Sequence, residues 1–321
     1  MKVLVTGAGG FAGKHLLEFL LSRKGVHVFG ALGPRKETDR NLGLFEKRGV
    51  SFFKCDIRDA RCVRDLIRKV KPGRIFHLAG QSSAARSWDL PEDTFAVNVI
   101  GTLNLFEAVR RLGLGVWIQV AGSSEQYGLV PRRETPAVET TPLRPLSPYG
   151  VSKASQDLLA YQYGRNFGLK IVRTCSFNHT GPGQREDFVV SSFAKQVALI
   201  EAGKQEPVIH VGNLEAVRDF MDVRDVVKAY WLSLEKGAPG ERYHVASGTG
   251  RSLKDVVSFY LKESPVHIKI KKDPVRARAY DVPVMIGNAS KFRRKTGWKP
   301  AISFEKTLLD VLNHWRDKIN A

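Results

Sequence analysis

Two side chains one helical turn apart set the chemistry this chain can do. Tyr149 and Lys153 lie in Tyr149-Gly-Val-Ser-Lys153, and the preceding Ser147-Pro148 supplies the cap and first-turn proline that open a helix. On a helix that spacing puts the phenol and the ammonium on one face. An ammonium beside a phenol favours the phenolate, so the pair predicts a tyrosine of lowered pKa, usable as acid or base near neutrality. Ser123, in Ser123-Ser124-Glu125 after an apolar run, can hydrogen-bond a substrate oxygen beside Tyr149. A surface helix can carry Tyr and Lys at this spacing by chance, so a second signal is needed.

That signal is Gly7-Ala-Gly-Gly10-Phe-Ala-Gly13, directly after the apolar run Val3 to Thr6. Glycines there allow a tight turn and let backbone N–H groups approach a pyrophosphate, which rests on the positive end of the next helix. Two spacings fit: GxxGxxG through Gly7, Gly10 and Gly13, and GxGxxA through Gly7, Gly9 and Ala12. Either predicts dinucleotide binding, with Phe11 inside the turn; the bland alternative is an ordinary strand–helix turn. An NAD site places Asp or Glu at the end of the second strand, whereas an NADP site tolerates a cation. This chain reads Ala31-Leu-Gly-Pro-Arg35-Lys36 with no acid before Glu37, so NADP is expected ahead of NAD, with Arg35 as its contact. Asp56 and Ile57 stand where the adenine would lie, although Asp56 could equally cap a helix. Leu78, Ala79 and Gly80 close the fourth strand beside the cofactor.

The elements that must position these groups alternate. Residues 3–6, 26–32, 50–55, 74–79, 116–121 and 170–175 read as strands, and 14–21, 63–70, 94–112 and 148–164 as helices. This alternation predicts right-handed βαβ units, hence an α/β fold with a Rossmann-type doubly wound parallel sheet. From about Phe188 the pattern turns irregular, which predicts a smaller C-terminal α/β substrate lobe. The expected division is 1–175 for the dinucleotide domain, with a returning segment near 218–236, and 176–321 for the lobe.

Composition narrows the class further. The 321 residues are 43% hydrophobic and 26% charged, which excludes wholesale disorder and a fibrous fold. No run of about 18 apolar residues exists, so no membrane span is expected. The N-terminus reads as a first strand rather than a signal peptide, and Cys55, Cys62 and Cys175 lack zinc-like pairing, so a soluble cytoplasmic protein is expected. Lys plus Arg number 51 against 32 Asp plus Glu, a net charge of +19. These cations are spread along the chain and densest at Lys269 to Arg278, a pattern of solvated surface or, locally, of a phosphate-bearing ligand. No nucleic-acid partner is expected. His15, His27, His210, His244 and His267 show no metal spacing, and Trp88, Trp117, Trp231 and Trp315 read as packing. Asn98 either supports Lys153 through a water or is a buried polar residue.

These motifs resemble the extended short-chain dehydrogenase/reductase family, marked by TGxxGxxG and YxxxK, over essentially the whole chain. Within it, SSEQYGL (123–129), SPYGVSK (147–153), FNHTGPGQ (177–184), VGNLEAVRDFMDVRDVV (211–227) and TGWKP (296–300) resemble the GDP-sugar branch. The resemblance implies Ser123, Tyr149 and Lys153 as the catalytic set, with Phe177 to His179 on the nicotinamide side and Asn178 toward the diphosphate. It implies Arg218, Arg278 and Asp281 on the GDP phosphates and ribose, with Lys195, Ser124 and Val189 as further substrate contacts. The family usually reads Arg-Pro-x-Glu where this chain has Arg278-Ala-Tyr-Asp281. The implied reaction is NADPH-dependent reduction of the C4 ketone of GDP-4-keto-6-deoxy-D-mannose to GDP-D-rhamnose. Glu125 keeps an alternative open, since the branch's 4,6-dehydratases use a glutamate there as base, and another nucleotide-sugar epimerase or reductase is the remaining alternative. Relatives pair the helices holding Asn98 and Tyr149 into a four-helix bundle, which implies a homodimer.

Overall fold

A computed structural model describes residues 1–34, 40–274 and 282–320. Its largest layer follows from strands buried on both faces. In β1 (Lys2–Thr6), Val3 and Val5 join one core while Leu4 joins the other, and all three are wholly buried. A strand whose successive side chains point to opposite faces needs apolar cover on both sides, which crossover helices provide. β2 (His27–Leu32), β3 (Ser51–Lys54), β4 (Arg74–His77), β5 (Trp117–Ser123) and β6 (Lys170–Ser176) pair with it in parallel in the order 3-2-1-4-5-6. One face is covered by the helices Phe11–Leu21 and Val223–Lys236 through Leu16, Leu17, Leu20, Val227, Tyr230 and Trp231. The other is covered by Ala60–Val70, Gly101–Arg111 and Pro148–Phe167 through Ile67, Phe106, Val109 and Tyr163.

The remaining strands are β7 (Asn178–Thr180), β8 (Val208–Val211), β9 (Val217–Asp222), β10 (Arg242–Val245), β11 (Gly250–Ser252), β12 (Lys269–Lys272) and β13 (Val284–Met285). Of these, β10 extends the large sheet by pairing in parallel with β6, a seventh strand absent from the sequence reading. Its residues Arg-Tyr-His-Val hold one aliphatic side chain, and the half-buried Arg242 is received by Asp157, with Nη2 and Oδ2 2.5 Å apart, and by the Glu139 carbonyl at 2.9 Å. The return to the sheet therefore runs past residue 236. β7, β9, β11 and β13 form a small sheet at the mouth of the cleft, and β8 pairs with β12. The helices Val189–Glu201, Leu253–Glu263 and Phe304–Asn320 close a separate core around Phe193, Ile209, Tyr260, Leu312 and Trp315.

The expected helix at 94–112 is interrupted. It begins at Pro91, passes through a π-helical turn at Ala96–Ile100 and resumes at Gly101. A π turn widens the backbone ring and re-aims the side chains it carries. Here it turns Asn98 inward, where it is buried and bonds the backbone of Gln81 and the Ser152 hydroxyl (2.9 Å). Among the described residues, no helix is long and apolar enough to cross a membrane.

His77 and His244 lie inside the protein, and desolvation pushes both down to about 3. In the unfolded chain each binds a proton near pH 6.5, so between about pH 6.5 and 3 the unfolded state holds more protons and stability rises with pH. Each histidine then contributes about 1.4 kcal/mol per pH unit in that window. Urea unfolding between pH 6 and 4.5, above the carboxylate range, should show a steady loss of stability on acidification. A flat profile there would mean that the histidines are not buried in neutral form.

Candidate active site

The strand order reverses between β1 and β4, and a crevice opens outside the carboxyl ends of strands at such a switch point. A cleft of about 1280 Å³ lies there. Its floor is the turn from β1 into the helix Phe11–Leu21. Gly7 has φ +71°, and a Cβ built on it would sit 2.7 Å from the Ala79 nitrogen. At Gly13 a Cβ would meet the Gly7 carbonyl oxygen at 2.3 Å, whereas at Gly9 it would meet only the Leu32 side chain at 3.2 Å. The turn therefore follows GxxGxxG, and Gly9-x-x-Ala12 is incidental. Gly10 caps this helix without a side-chain bond, and no acid stands in its first turn. Its N–H groups are thus available to an anion, and the cradle fits a dinucleotide diphosphate.

Gly7, Gly10, Phe11, Ala12, Gly13, Asp56, Ile57, Leu78, Ala79 and Gly80 all line this half of the cleft. Asp56 is no helix cap. Asp59 caps the helix Ala60–Val70, accepting from Arg61 and Cys62, while Asp56 accepts from Arg58, with Nη2 and Oδ2 2.7 Å apart. That hydrogen bond holds the Asp56 carboxyl below the usual range. Arg58 also reaches Asp93 at 3.0 Å, so an arginine passed over in the sequence spans this wall. Arg35, Arg278 and Asp281 lie outside the described residues.

Ser123, Ser124, Glu125 and Tyr149 line the middle, at the end of β5 and the start of the helix Pro148–Phe167. Ser147 caps that helix by accepting from the Gly150 N–H at 3.0 Å, with Pro148 in its first turn, as its sequence predicts. Gly150 lets the helix approach closely: a Cβ there would lie 2.6 Å from the Glu125 carbonyl oxygen. This contact holds Tyr149 against Ser123 and Glu125.

The expected lowering of the tyrosine pKa does not occur. Burial pushes the Tyr149 phenol well up; the Ser123 hydrogen bond opposes this and the Glu125 charge adds to it. Lys153 sits 6.0 Å from the ring centroid, with its ammonium donating to the Ala121 carbonyl (2.8 Å) and the Gln156 side chain (2.9 Å). Burial brings Lys153 down to about 8. The sequence shows the spacing of these groups but not their desolvation, and desolvation decides the direction. The site thus presents a protonated phenol with a serine hydroxyl and a carboxylate on the same stretch of wall.

Asn178, His179, Val189 and Arg218 line the lobe half. His179 stacks on Phe11 at 6.3 Å between centroids, with 9° between planes, which joins the glycine turn to the lobe. Arg218 is buried and donates to the Val282 carbonyl at 2.6 Å. Lys195 is not part of the wall; it pairs with Glu186, which is. Gln81, Arg86, Arg185, Phe193 and Asn213 also line the cleft. They come from loops and distant helices, brought together by tertiary packing alone, and no spacing in the sequence marks them.

The GDP-mannose 4,6 dehydratase family profile matches residues 4–311. The chain belongs to that family. It is 31% identical to GDP-6-deoxy-D-mannose reductase of Pseudomonas aeruginosa, over 99% of this chain and 98% of the relative. It is 32% identical to human GDP-mannose 4,6 dehydratase, over 97% of this chain and 90% of that protein. Among solved structures it resembles RMD from Pseudomonas aeruginosa complexed with NADPH (29% identity, 99% of each chain, TM-score 0.85). It also resembles UDP-glucose 4-epimerase from Thermotoga maritima with UDP-glucose (28% identity, 99% and 100% of the two chains, TM-score 0.90). Membership in this NAD(P)-dependent nucleotide-sugar family matches the YxxxK and TGxxGxxG motifs and the α/β fold.

The two glycine spacings separate on substitution. Gly13→Ala should cost about 1–3 kcal/mol, the usual range for overpacking against atoms that cannot move. Gly9→Ala should stay within about 0.5 kcal/mol, because a leucine tip can shift. Urea midpoints of the two variants check this, and equal effects would remove the distinction.

Proposed function

We propose that this chain reduces the C4 ketone of GDP-4-keto-6-deoxy-D-mannose to GDP-D-rhamnose with NADPH. The observation that carries this reading is the Tyr149 phenol, kept protonated by burial, lining the same cleft as Ser123 and the glycine cradle. NADPH held on the Gly7–Gly13 turn, with Asp56, Ile57 and Leu78 to Gly80 beside it, would supply the hydride. Tyr149 gives its proton to the carbonyl oxygen as that oxygen becomes an alcohol. Ser123 hydrogen-bonds the same oxygen, stabilising the charge that develops there. Lys153, cationic at neutral pH, favours the tyrosinate left behind. Arg218 and Asn178 take the GDP diphosphate, since guanidinium groups suit phosphate oxygens. The cofactor belongs with residues 1–175 and the segment returning to the sheet, and the sugar nucleotide with the lobe.

Glu125 favours a second reading: its carboxylate is close enough to raise Tyr149, and a 4,6-dehydratase would use it to take a proton from carbon. A homodimer completes the proposal. Ile100, Val151, Leu158 and Tyr161, on the two helices expected to pair, are 39–55% exposed.

A paired assay decides between the reactions. Given the keto sugar and NADPH, the enzyme should consume NADPH and form GDP-D-rhamnose, identified by NMR; given GDP-mannose and NADP⁺, it should do nothing. A keto sugar formed from GDP-mannose, and abolished in Glu125→Gln, would replace the reductase by the dehydratase. Tyr149→Phe should keep its unfolding midpoint and lose about 10²–10⁴ in turnover, the usual contribution of a placed acid. Near-normal turnover in that variant would sink the role of Tyr149. Light scattering should give twice the chain mass, and a monomer would contradict the dimer.

A further inference from the structure

We propose that Gln156 is a positioning residue for Lys153, the last link of a buried hydrogen-bond chain from Thr6 that aims one amide carbonyl at the lysine ammonium. This rests on the reading of Lys153 as part of the active site. The chain starts in the strand that feeds the glycine turn. Thr6 meets His77 Nδ1 at 2.8 Å, His77 Nε2 meets Thr102 at 2.9 Å, and Gln156 Nε2 meets Thr102 at 2.7 Å. All four side chains are buried.

Counting protons fixes every direction. The Thr102 hydroxyl donates to the Asn98 carbonyl at 2.6 Å, so it can only accept from its other two partners. His77 must therefore donate to it from Nε2. His77 is neutral, because burial and the nearby Lys153 charge press its pKa down to about 3. Its Nδ1 then accepts the Thr6 hydroxyl proton, while Thr6 accepts from the Ala79 N–H at 3.2 Å. Gln156 likewise must turn its NH₂ to Thr102, which leaves its carbonyl facing the Lys153 ammonium at 2.9 Å. A glutamine without this anchor could turn over and present N–H donors to the cation instead.

The charge of Lys153 depends on that carbonyl. The titratable groups that face it are His77 of β4, Cys175 of β6 and Tyr149 of its own helix. Burial keeps the His77 ring neutral and pushes the Cys175 thiol and the Tyr149 phenol up, so none of the three carries charge near neutrality. Glu125 and Tyr230 act on Tyr149, and of these two Glu125 is a carboxylate. The ammonium donates to two neutral oxygens, those of Ala121 and Gln156. Removing one should shift the lysine toward its neutral form.

The test reads the lysine directly in the full chain, with no substrate present. The ¹³Cε resonance of Lys153 is assigned by its loss in Lys153→Met and followed against pH. The wild-type midpoint should lie near 8, fall by about one unit in Gln156→Leu and rise in Gln156→Glu, because a lost acceptor favours the neutral amine and an added charge favours the ammonium. The alkaline limb of kcat/KM should move with it in each variant. Thr102→Val, which frees the amide to turn, should lower the midpoint as well and serves if Gln156→Leu does not fold. Midpoints within about 0.3 unit of wild type in the folded variants, or a fall in Gln156→Glu, would overturn the proposal. Absence of NADPH turnover in the wild-type enzyme would sink the reductase reading instead and leave the titration as it is.

Discussion

An ammonium buried with no carboxylate partner among the described residues is the constraint around which this site is built. Moving a charge out of water costs several kcal/mol even after relaxation, and dipoles must offset that cost where no counter-ion does. Lys153 meets one such dipole at Ala121, near the carboxyl end of β5, and another on its own helix at Gln156. Both are available only if the helix Pro148–Phe167 starts at one residue and lies at one distance from β5. The Ser147 cap and Pro148 set the start, and Gly150 against the Glu125 carbonyl sets the distance. The same contact puts Tyr149 beside Ser123. The polar network is therefore a condition for the packing of this helix as much as a consequence of it.

Much of this was legible in the sequence, because the relevant signals are local. The alternation of Val3, Leu4 and Val5 states that β1 is covered on both sides, and a glycine every third residue after it states that the backbone makes close contacts. Tyr149 and Lys153 share a helix, so their spacing is their geometry. What escaped depends on distant partners. β10 is unreadable as Arg-Tyr-His-Val until Asp157 is known to receive Arg242. The π turn that carries Asn98 has no signature in the residues 96–100 themselves. The pKa of Tyr149 was given the wrong sign because spacing reveals a neighbour's charge, whereas burial is a property of the whole fold.

The net charge of +19 invites a search for a cationic cleft, yet the described wall does not have one. Among the described lining residues, Lys14, Arg58, Arg86, Arg185 and Arg218 are matched in number by Asp56, Asp93, Glu125, Glu186 and Asp187. Arg58 is held by Asp56 and Asp93, and Arg185 by Asp187. Among the described residues, the donors directed at a dinucleotide diphosphate are the uncapped N–H groups of the helix Phe11–Leu21 rather than a diffuse field. Directed donors lose less of their strength to salt than a diffuse surface field does, because screening acts mainly on exposed charges at long range.

The pair formed by Glu125 and Tyr149 explains how one scaffold can serve two reactions. A carboxylate beside a buried phenol raises the cost of the tyrosinate, so the proton stays on Tyr149 until a substrate oxygen with developing charge takes it. That arrangement suits a reductase, in which the phenol only donates. A dehydratase asks the carboxylate to accept a proton from carbon, a step in which the phenol beside it need not take part. The choice therefore falls to which sugar carbon the lobe holds opposite Glu125, and to whether the nicotinamide leaves after each turnover, as a reductase requires, or stays to be regenerated in place.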